Sequence, residues 1–478
     1  MEFIDIFLKY EEERNLFNEE IYGVRYWHYI RYILFQKMLR EKTNSGDFNN
    51  ISRSLSKKEK FIEKLEQVYN IILKNPLIGL KNKEVLVLNS SRRSKNGDVY
   101  ECIYTDDLIK SIDNDYYVLE NNYMGKHFKP AITQNLLYMD YISLKRSIIK
   151  KLWRRKEKYK ISSEDENRIK IILKDLENLL EVKIDEAFVF LQLEEIIYSY
   201  KSTYKDFEKI LETVKPKAII EVCHYEFDKL LMNEVAQKKN IKVIELQHGT
   251  IDKYHLAYNF QSKRDLITYP NYIFTFGEYW SKISRFPIGK NHLIDVGFYN
   301  YEKKKDKYKE TLVDNNKNIL FISQNTIGKE LSTLAVELKE ELQDRYNILY
   351  KLHPKEVGVW KSDYPWLVNS GIQVIDNNDK DLYYYFSISE AQIGVYSTAM
   401  FEGIGFGLKT FIYKTFGHEY MQNLYNNNYA KLIENTQEIS EGLGSCFSKS
   451  NEVEDKLWKK HSIDNFKKAL NIILKNKD

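Results

Sequence analysis

The hydrophobic positions of the chain fall into short runs between longer charged and amphipathic stretches. Glu84–Asn89, Ala218–Val222, Ile241–Leu246, Tyr272–Phe276 and Leu293–Val296 are such runs, rich in Val, Ile and Leu. They do not alternate apolar with polar, so they predict strands buried on both faces, as in a parallel sheet. The stretches between them read as helices. The pattern restarts at Ile319–Ser323 and continues through Asn347–Leu352, Ile372–Ile375, Ala391–Val395 and Thr410–Tyr413. Strands alternating with helices predict an α/β fold of two doubly wound, Rossmann-like domains in series. The first spans 1–300, with a helical extension over 1–60 and a basic helical insertion over about 141–213. Residues 301–318 are rich in Lys, Asp and Asn and read as a linker. The second domain spans 319–478, its final helical stretch, Asp455–Lys475, packing back across the junction. The polar segment 43–60 reads as a loop.

The length of 478 residues fits two cores better than one. With 43% hydrophobic and 30% charged residues the chain is a folded protein, and a net charge of +4 argues against nucleic acid as the main partner. The three cysteines, Cys102, Cys223 and Cys446, are scattered without metal or redox spacing, which fits a reducing cytoplasm. The first residues lack the pattern of a signal peptide, and no uncharged apolar run reaches the ~20 residues of a membrane span. Charge is uneven. Residues 141–160 hold nine Lys or Arg against Glu157 alone, with Leu144, Ile148, Leu152 and Trp153 near helical spacing. Such a helix suits an anionic membrane surface, here the inner face of the plasma membrane, or else is a solvated charged helix.

Three strand-end loops carry candidate chemistry, and in open α/β sheets such loops line the ligand crevice. Gln247-His248-Gly249-Thr250 follows a strand of the first domain. A His in a polar Gly turn suits general base work on a hydroxyl. Glu245, on the strand itself, is an alternative to His248 for that role, and Glu221 and Glu226 are others. Lys351-Leu-His353-Pro354 follows a strand of the second domain. Pro354 restricts His353 to extended geometry, aiming imidazole and lysine donors out of the strand end toward phosphate. Tyr396-Ser397-Thr398 opens a helix whose start suits a phosphate. Ser397 and Thr398 either donate to that phosphate or cap the helix. Glu402, followed by Gly403, either accepts from ribose hydroxyls or faces water. Arg92 and Arg93, in the loop after the first strand, either meet anionic groups there or are solvated loop arginines.

In their order and placement these motifs resemble the GT-B glycosyltransferases of bacterial surface polysaccharides, the group with capsule, sialyl-, Kdo- and teichoic acid transferases. The resemblance covers about residues 215–415 and rests on Gln247-His-Gly-Thr250, Leu349-Tyr-Lys-Leu-His-Pro354 and Ser397-Thr398 with Glu402. It implies two Rossmann-like domains facing a cleft. It implies transfer of a sugar or polyol-phosphate from a nucleotide-activated donor, CMP- or CDP-linked, to a hydroxyl of a glycan or lipid-linked glycan. His248 and Glu245 would be catalytic. Lys351, His353, Ser397, Thr398, Glu402 and Gly403 would bind the donor, and Gln247, Gly249, Thr250, Arg92 and Arg93 the acceptor. No metal or cofactor is expected beyond the donor itself. Many cytidine sialyltransferases carry a carboxylate pair where this chain has Gln247-His248, which moves the base toward His248. The alternatives are a sugar-nucleotide 2-epimerase of the same fold and a non-catalytic scaffold that binds glycan or membrane.

Overall fold

The computed structural model describes residues 2–43, 57–112, 115–311, 317–377, 379–444 and 451–475. Most of the expected loop 43–60 and part of the expected linker 301–318 lie outside them. The chain divides into two compact units.

The first unit comprises 1–275, 283–294 and 463–478. Its strands are β1 (Val85–Leu88), β4 (Tyr116–Glu120), β5 (Leu136–Tyr138), β6 (Ala218–Val222), β7 (Lys242–Leu246), β8 (Tyr272–Thr275) and β9 (Leu293–Asp295), beside a separate hairpin of β2 (Ser94–Asn96) and β3 (Val99–Glu101). They are ordered β5-β4-β1-β6-β7-β8-β9, and the pairs from β5 to β8 run parallel. Every residue of β1 and β6 is buried, which accounts for the unbroken apolar runs in the sequence. The chain winds outward from β1 to β5, then returns to β6 on the other side of β1. The carboxyl ends of β1 and β6 therefore flank the topological switch point.

The second unit comprises 276–282 and 295–462. Its sheet is β10 (Asn318–Ile322), β11 (Asn347–Lys351), β12 (Gln373–Ile375), β13 (Ala391–Gly394), β14 (Lys409–Tyr413) and β15 (Lys431–Ile433), ordered β12-β11-β10-β13-β14-β15 and parallel throughout. Its switch point lies between β10 and β13. Ile319, Phe321, Ile348, Tyr350, Ile393 and Phe411 form the middle of its core. The protein is thus an α/β chain with two doubly wound, Rossmann-like domains.

Several expectations change in detail. The expected linker opens with a helix, Tyr299–Lys307, that belongs to the second unit. Buried Tyr301 stacks on Trp458 and draws those turns onto the core despite their lysines. The final stretch is two helices, Asn451–Leu457 and Ser462–Lys475, broken where His461 takes a left-handed φ of 66°. Residues 463–478 group with the first unit. A helix Lys57–Leu73 begins inside the segment read as a loop. In the N-terminal extension the sequence leaves Arg31 among aromatic and apolar residues, where a solvent-reaching side chain is the simple expectation. Arg31 is instead buried, paired with Glu11 at 2.6 Å, and donates to the carbonyls of Leu256 and Asn259.

Candidate active site

In the first unit the residues brought together lie at the carboxyl ends of β6 and β7. Glu221 of β6 and Glu245 of β7 are register partners, and both are fully buried. Two adjacent buried carboxyls cannot both ionise cheaply, and their surroundings separate them. Burial, then repulsion from Glu245, raises Glu221 well above the usual range, and its Oε1 accepts from Asn233 at 2.7 Å. Burial alone would raise Glu245 too. The imidazoles of His224 and His248 and a bond from Tyr258 outweigh it and hold Glu245 down to about 2. Glu245 Oε2 meets His224 Nδ1 at 2.7 Å, and Oε1 accepts from Tyr258 Oη at 2.8 Å and from the His224 amide at 3.2 Å.

His248 stands above this carboxylate, its Nδ1 3.9 Å from Glu245 Oε1 and its Nε2 3.1 Å from Tyr225 Oη. Burial pushes its pKa down to about 4, against the pull of Glu245, so the ring is neutral at neutral pH. Its Nδ1 is enclosed without a hydrogen-bond partner. The partly exposed rings of Tyr225 and Tyr104 lie 5.8 Å and 6.3 Å from the imidazole centroid, and Tyr32 and His255 pack on Tyr225 in turn. A neutral imidazole beside a buried carboxylate, walled by aromatics, can take a proton from a hydroxyl in a shielded place.

The structure corrects three first-domain assignments. Glu245 is closed to substrate and acts through the groups it orients. Gln247 is 1% exposed, its Nε2 donating to the Gly249 carbonyl at 2.8 Å, so it braces the His248 loop and does not face an acceptor. Gly249 and Thr250 follow in that loop, partly exposed. Arg93 is buried and meets Glu120 at 2.6 Å, Asp106 at 3.3 Å and Thr133 at 2.7 Å, so its charge is matched inside the fold. Arg92 beside it is exposed. His224, Tyr225, His255 and Tyr258 were not singled out from the sequence. His224 and Tyr225 carried a signal, as polar residues directly after a buried strand. Tyr258 and His255 lie further along the same β7–β8 connection as His248, where no local pattern marked them. The turn into His224 puts Cys223 in the left-handed region, φ 69°, a strained position for a residue with a side chain.

In the second unit the loops after β10, β11 and β13 lie on adjacent strands around the switch point. Gln324 ties two of them, its side chain donating to the Tyr396 carbonyl at 2.8 Å and accepting from the Tyr396 amide at 3.0 Å. Beneath the His353 loop sits Glu356, 1% exposed, which accepts from the His353 amide at 2.6 Å, Tyr364 Oη at 2.8 Å and Ser323 Oγ at 2.9 Å. His353 Nδ1 accepts from the Lys355 amide at 3.2 Å, which places the neutral ring's proton on Nε2 as a donor. Ser397 caps helix Thr398–Gly405, its Oγ accepting from the Ala399 amide at 3.2 Å, and leaves its hydroxyl proton to donate. Glu402 accepts from Tyr383 Oη at 3.1 Å. Burial pushes it up to about 7, with the Tyr383 bond pulling the other way.

Two second-domain assignments also change. Lys351 gives its ammonium to the Asn377 carbonyl at 2.7 Å, so it secures the strand end. Gly403 is a packing residue, since a Cβ there would lie 2.1 Å from Oε1 of buried Gln392. Its bare backbone lets the helix rest on β13. Among the described residues no group of His, Cys, Asp and Glu is arranged to hold a metal ion.

No protein-family model matches the chain, and no curated protein matches its sequence. Similar solved structures include the UDP-GlcNAc 2-epimerase from Methanocaldococcus jannaschii (12% identity, TM-score 0.46, 81% of this chain and 99% of that one). The UDP-GlcNAc 2-epimerase from Neisseria meningitidis bound to UDP-GlcNAc is another (13%, TM-score 0.47, 82% and 100%). The wall teichoic acid polymerase TagF is a third (13%, TM-score 0.45, 88% and 98%).

Proposed function

We propose that the protein is a glycosyltransferase of surface-polysaccharide type, which moves a sugar or polyol-phosphate from a cytidine-activated donor to a hydroxyl of a glycan or lipid-linked glycan. The observation that carries this reading is the His248 site, a neutral imidazole beside the buried, ionised Glu245 in an aromatic surround. His248 takes the acceptor proton as the oxygen attacks the donor. For a CMP-sugar the bond formed is carbon to oxygen and the bond broken is anomeric carbon to phosphate oxygen. For a CDP-polyol the attack is at the polyol-bearing phosphorus and the pyrophosphate bridge breaks. CMP departs in both, its charge met by His353, Ser397, Thr398 and the helix start, without a metal. Glu402 accepts from the ribose hydroxyls.

The test is release of CMP from candidate donors with and without a polysaccharide acceptor. A transferase releases CMP with acceptor present. An epimerase leaves the sugar on its nucleotide, and a scaffold changes neither. The Glu402 assignment gives a pH signature. Ribose hydroxyls donate to a carboxylate, so donor affinity should rise as pH passes upward through about 7, where Glu402 ionises. Glu402→Gln should weaken the donor and flatten that rise. A pH profile unchanged by the substitution removes Glu402 from the site.

A further inference from the structure

Two helices of the first unit turn apolar side chains to solvent side by side. Helix Lys57–Leu73 packs against helix Asp140–Arg155. On the first, Leu65, Val68, Tyr69, Ile72 and Leu73 follow the spacing of one helical face, and each is 52% to 63% exposed. On the second, Leu144, Ile148 and Leu152 recur every four residues, 47% to 51% exposed. Ile78, just beyond the first helix, is 67% exposed. A soluble surface rarely gathers so many large aliphatic groups in one place.

The cations around this face are sorted. Four cations of helix Asp140–Arg155 are matched by carboxylates: Lys145 by Asp206 at 2.6 Å, Arg146 by Asp228 at 2.5 Å, and Lys150 and the exposed Arg154 by Glu195. Lys151, Arg155 and Lys156 are exposed, and among the described residues no carboxylate pairs with them. Lys151 and Arg155 stand seven and eleven residues after Leu144, on the same face as the exposed apolar residues. The nine cations of 141–160 are therefore not one outward set. Several stabilise the fold, and the rest edge an apolar platform of which the neighbouring helix supplies the larger part.

We propose that this two-helix face docks on the surface of an anionic lipid bilayer. The apolar stripe enters the headgroup boundary and Lys151, Arg155 and Lys156 meet lipid phosphates. An apolar face edged by unmatched cations is the charge and shape complement of such a surface. No described helix is long and apolar enough to cross a membrane, so the contact is peripheral. The inference does not depend on the transfer reaction, since it rests on another part of the first unit.

Flotation of the full chain with vesicles tests it. Binding is expected to vesicles of phosphatidylglycerol and phosphatidylcholine, to weaken as salt rises, and to be far weaker on phosphatidylcholine alone. Lys151→Gln, Arg155→Gln and Lys156→Gln together should lower binding on the order of a hundredfold, at roughly fivefold per cation. Ile72→Ser, Ile148→Ser and Leu152→Ser should lower it as well. All six sites are exposed, so the melting curves of both variants should overlay the parent. The proposal is overturned if the parent chain does not float with anionic vesicles, if both variants float as well as it does, or if the chain forms a dimer that these substitutions dissociate without any vesicle binding.

Discussion

His248→Ala is expected to lower transfer about 10²- to 10⁴-fold, the usual span for a lost general base, while nucleotide binding is unchanged. The expectation follows from where the ring sits. Its Nε2 meets Tyr225 and its Nδ1 is enclosed near Glu245, contacts that belong to the first unit. The shifted pKa adds a second readout. His248 stays neutral down to about 4, so the rate at saturating donor should show no acid limb near the ordinary histidine value of about 6.5. A substitution that abolished donor binding along with transfer would point to a collapsed site rather than a missing base. His248→Gln, which keeps some polarity, should behave like Ala if proton transfer is what was lost. Recovery of activity in His248→Gln would assign the residue to binding.

Glu245→Ala is expected to cost about 3–5 kcal/mol of stability, because two buried donor groups, Tyr258 Oη and His224, lose their acceptor at about 1–3 kcal/mol each. That corresponds to a fall in melting midpoint on the order of 10 °C, at about 2–4 °C per kcal/mol for domains of this size. The cause is local. Tyr258 Oη and His224 lose their acceptor in a site closed to water, and His248 loses the carboxylate 3.9 Å from its Nδ1. Glu245→Gln should melt closer to the parent, because the amide oxygen still accepts from Tyr258. It should nonetheless slow transfer, because the charge that steadies a protonated His248 is gone. Comparing Gln with Ala separates the two roles. If Gln matches the parent in rate, the negative charge is irrelevant to the chemistry and Glu245 is a structural residue only.

Much of the architecture could be read directly from the chain. The ten apolar runs each became a strand within two residues of the expected ends, because strands of a parallel sheet are buried on both faces and their apolar residues do not alternate strictly with polar ones. β4 was not read. Its sequence, Tyr-Tyr-Val-Leu-Glu120, ends in an acid and follows a polar stretch. Glu120 is buried because Arg93 and Asn89 reach it from another loop, and a tertiary ion pair leaves no local mark. The same pair hid the true role of Arg93, which in sequence is one more loop arginine. His248 and His353 were legible because each follows an apolar strand directly. Their supports were not. Glu356 lies three residues after His353, but its partners Ser323 and Tyr364 come from other elements. Gln324 reads as an ordinary polar loop residue until the strand order brings β10 beside β13.

The central claim is that the second domain holds a cytidine-activated donor through His353, Ser397, Thr398 and Glu402. Melting curves of the full chain with CMP, CDP, UDP and GDP, repeated on His353→Ala, test it most directly. A ligand at about 100 times its dissociation constant adds about 2.7 kcal/mol, a visible rise in midpoint. The account predicts that cytidine nucleotides raise the midpoint, that UDP and GDP do not, and that His353→Ala largely removes the rise. A rise with UDP alone, or an undiminished cytidine response in His353→Ala, would contradict it.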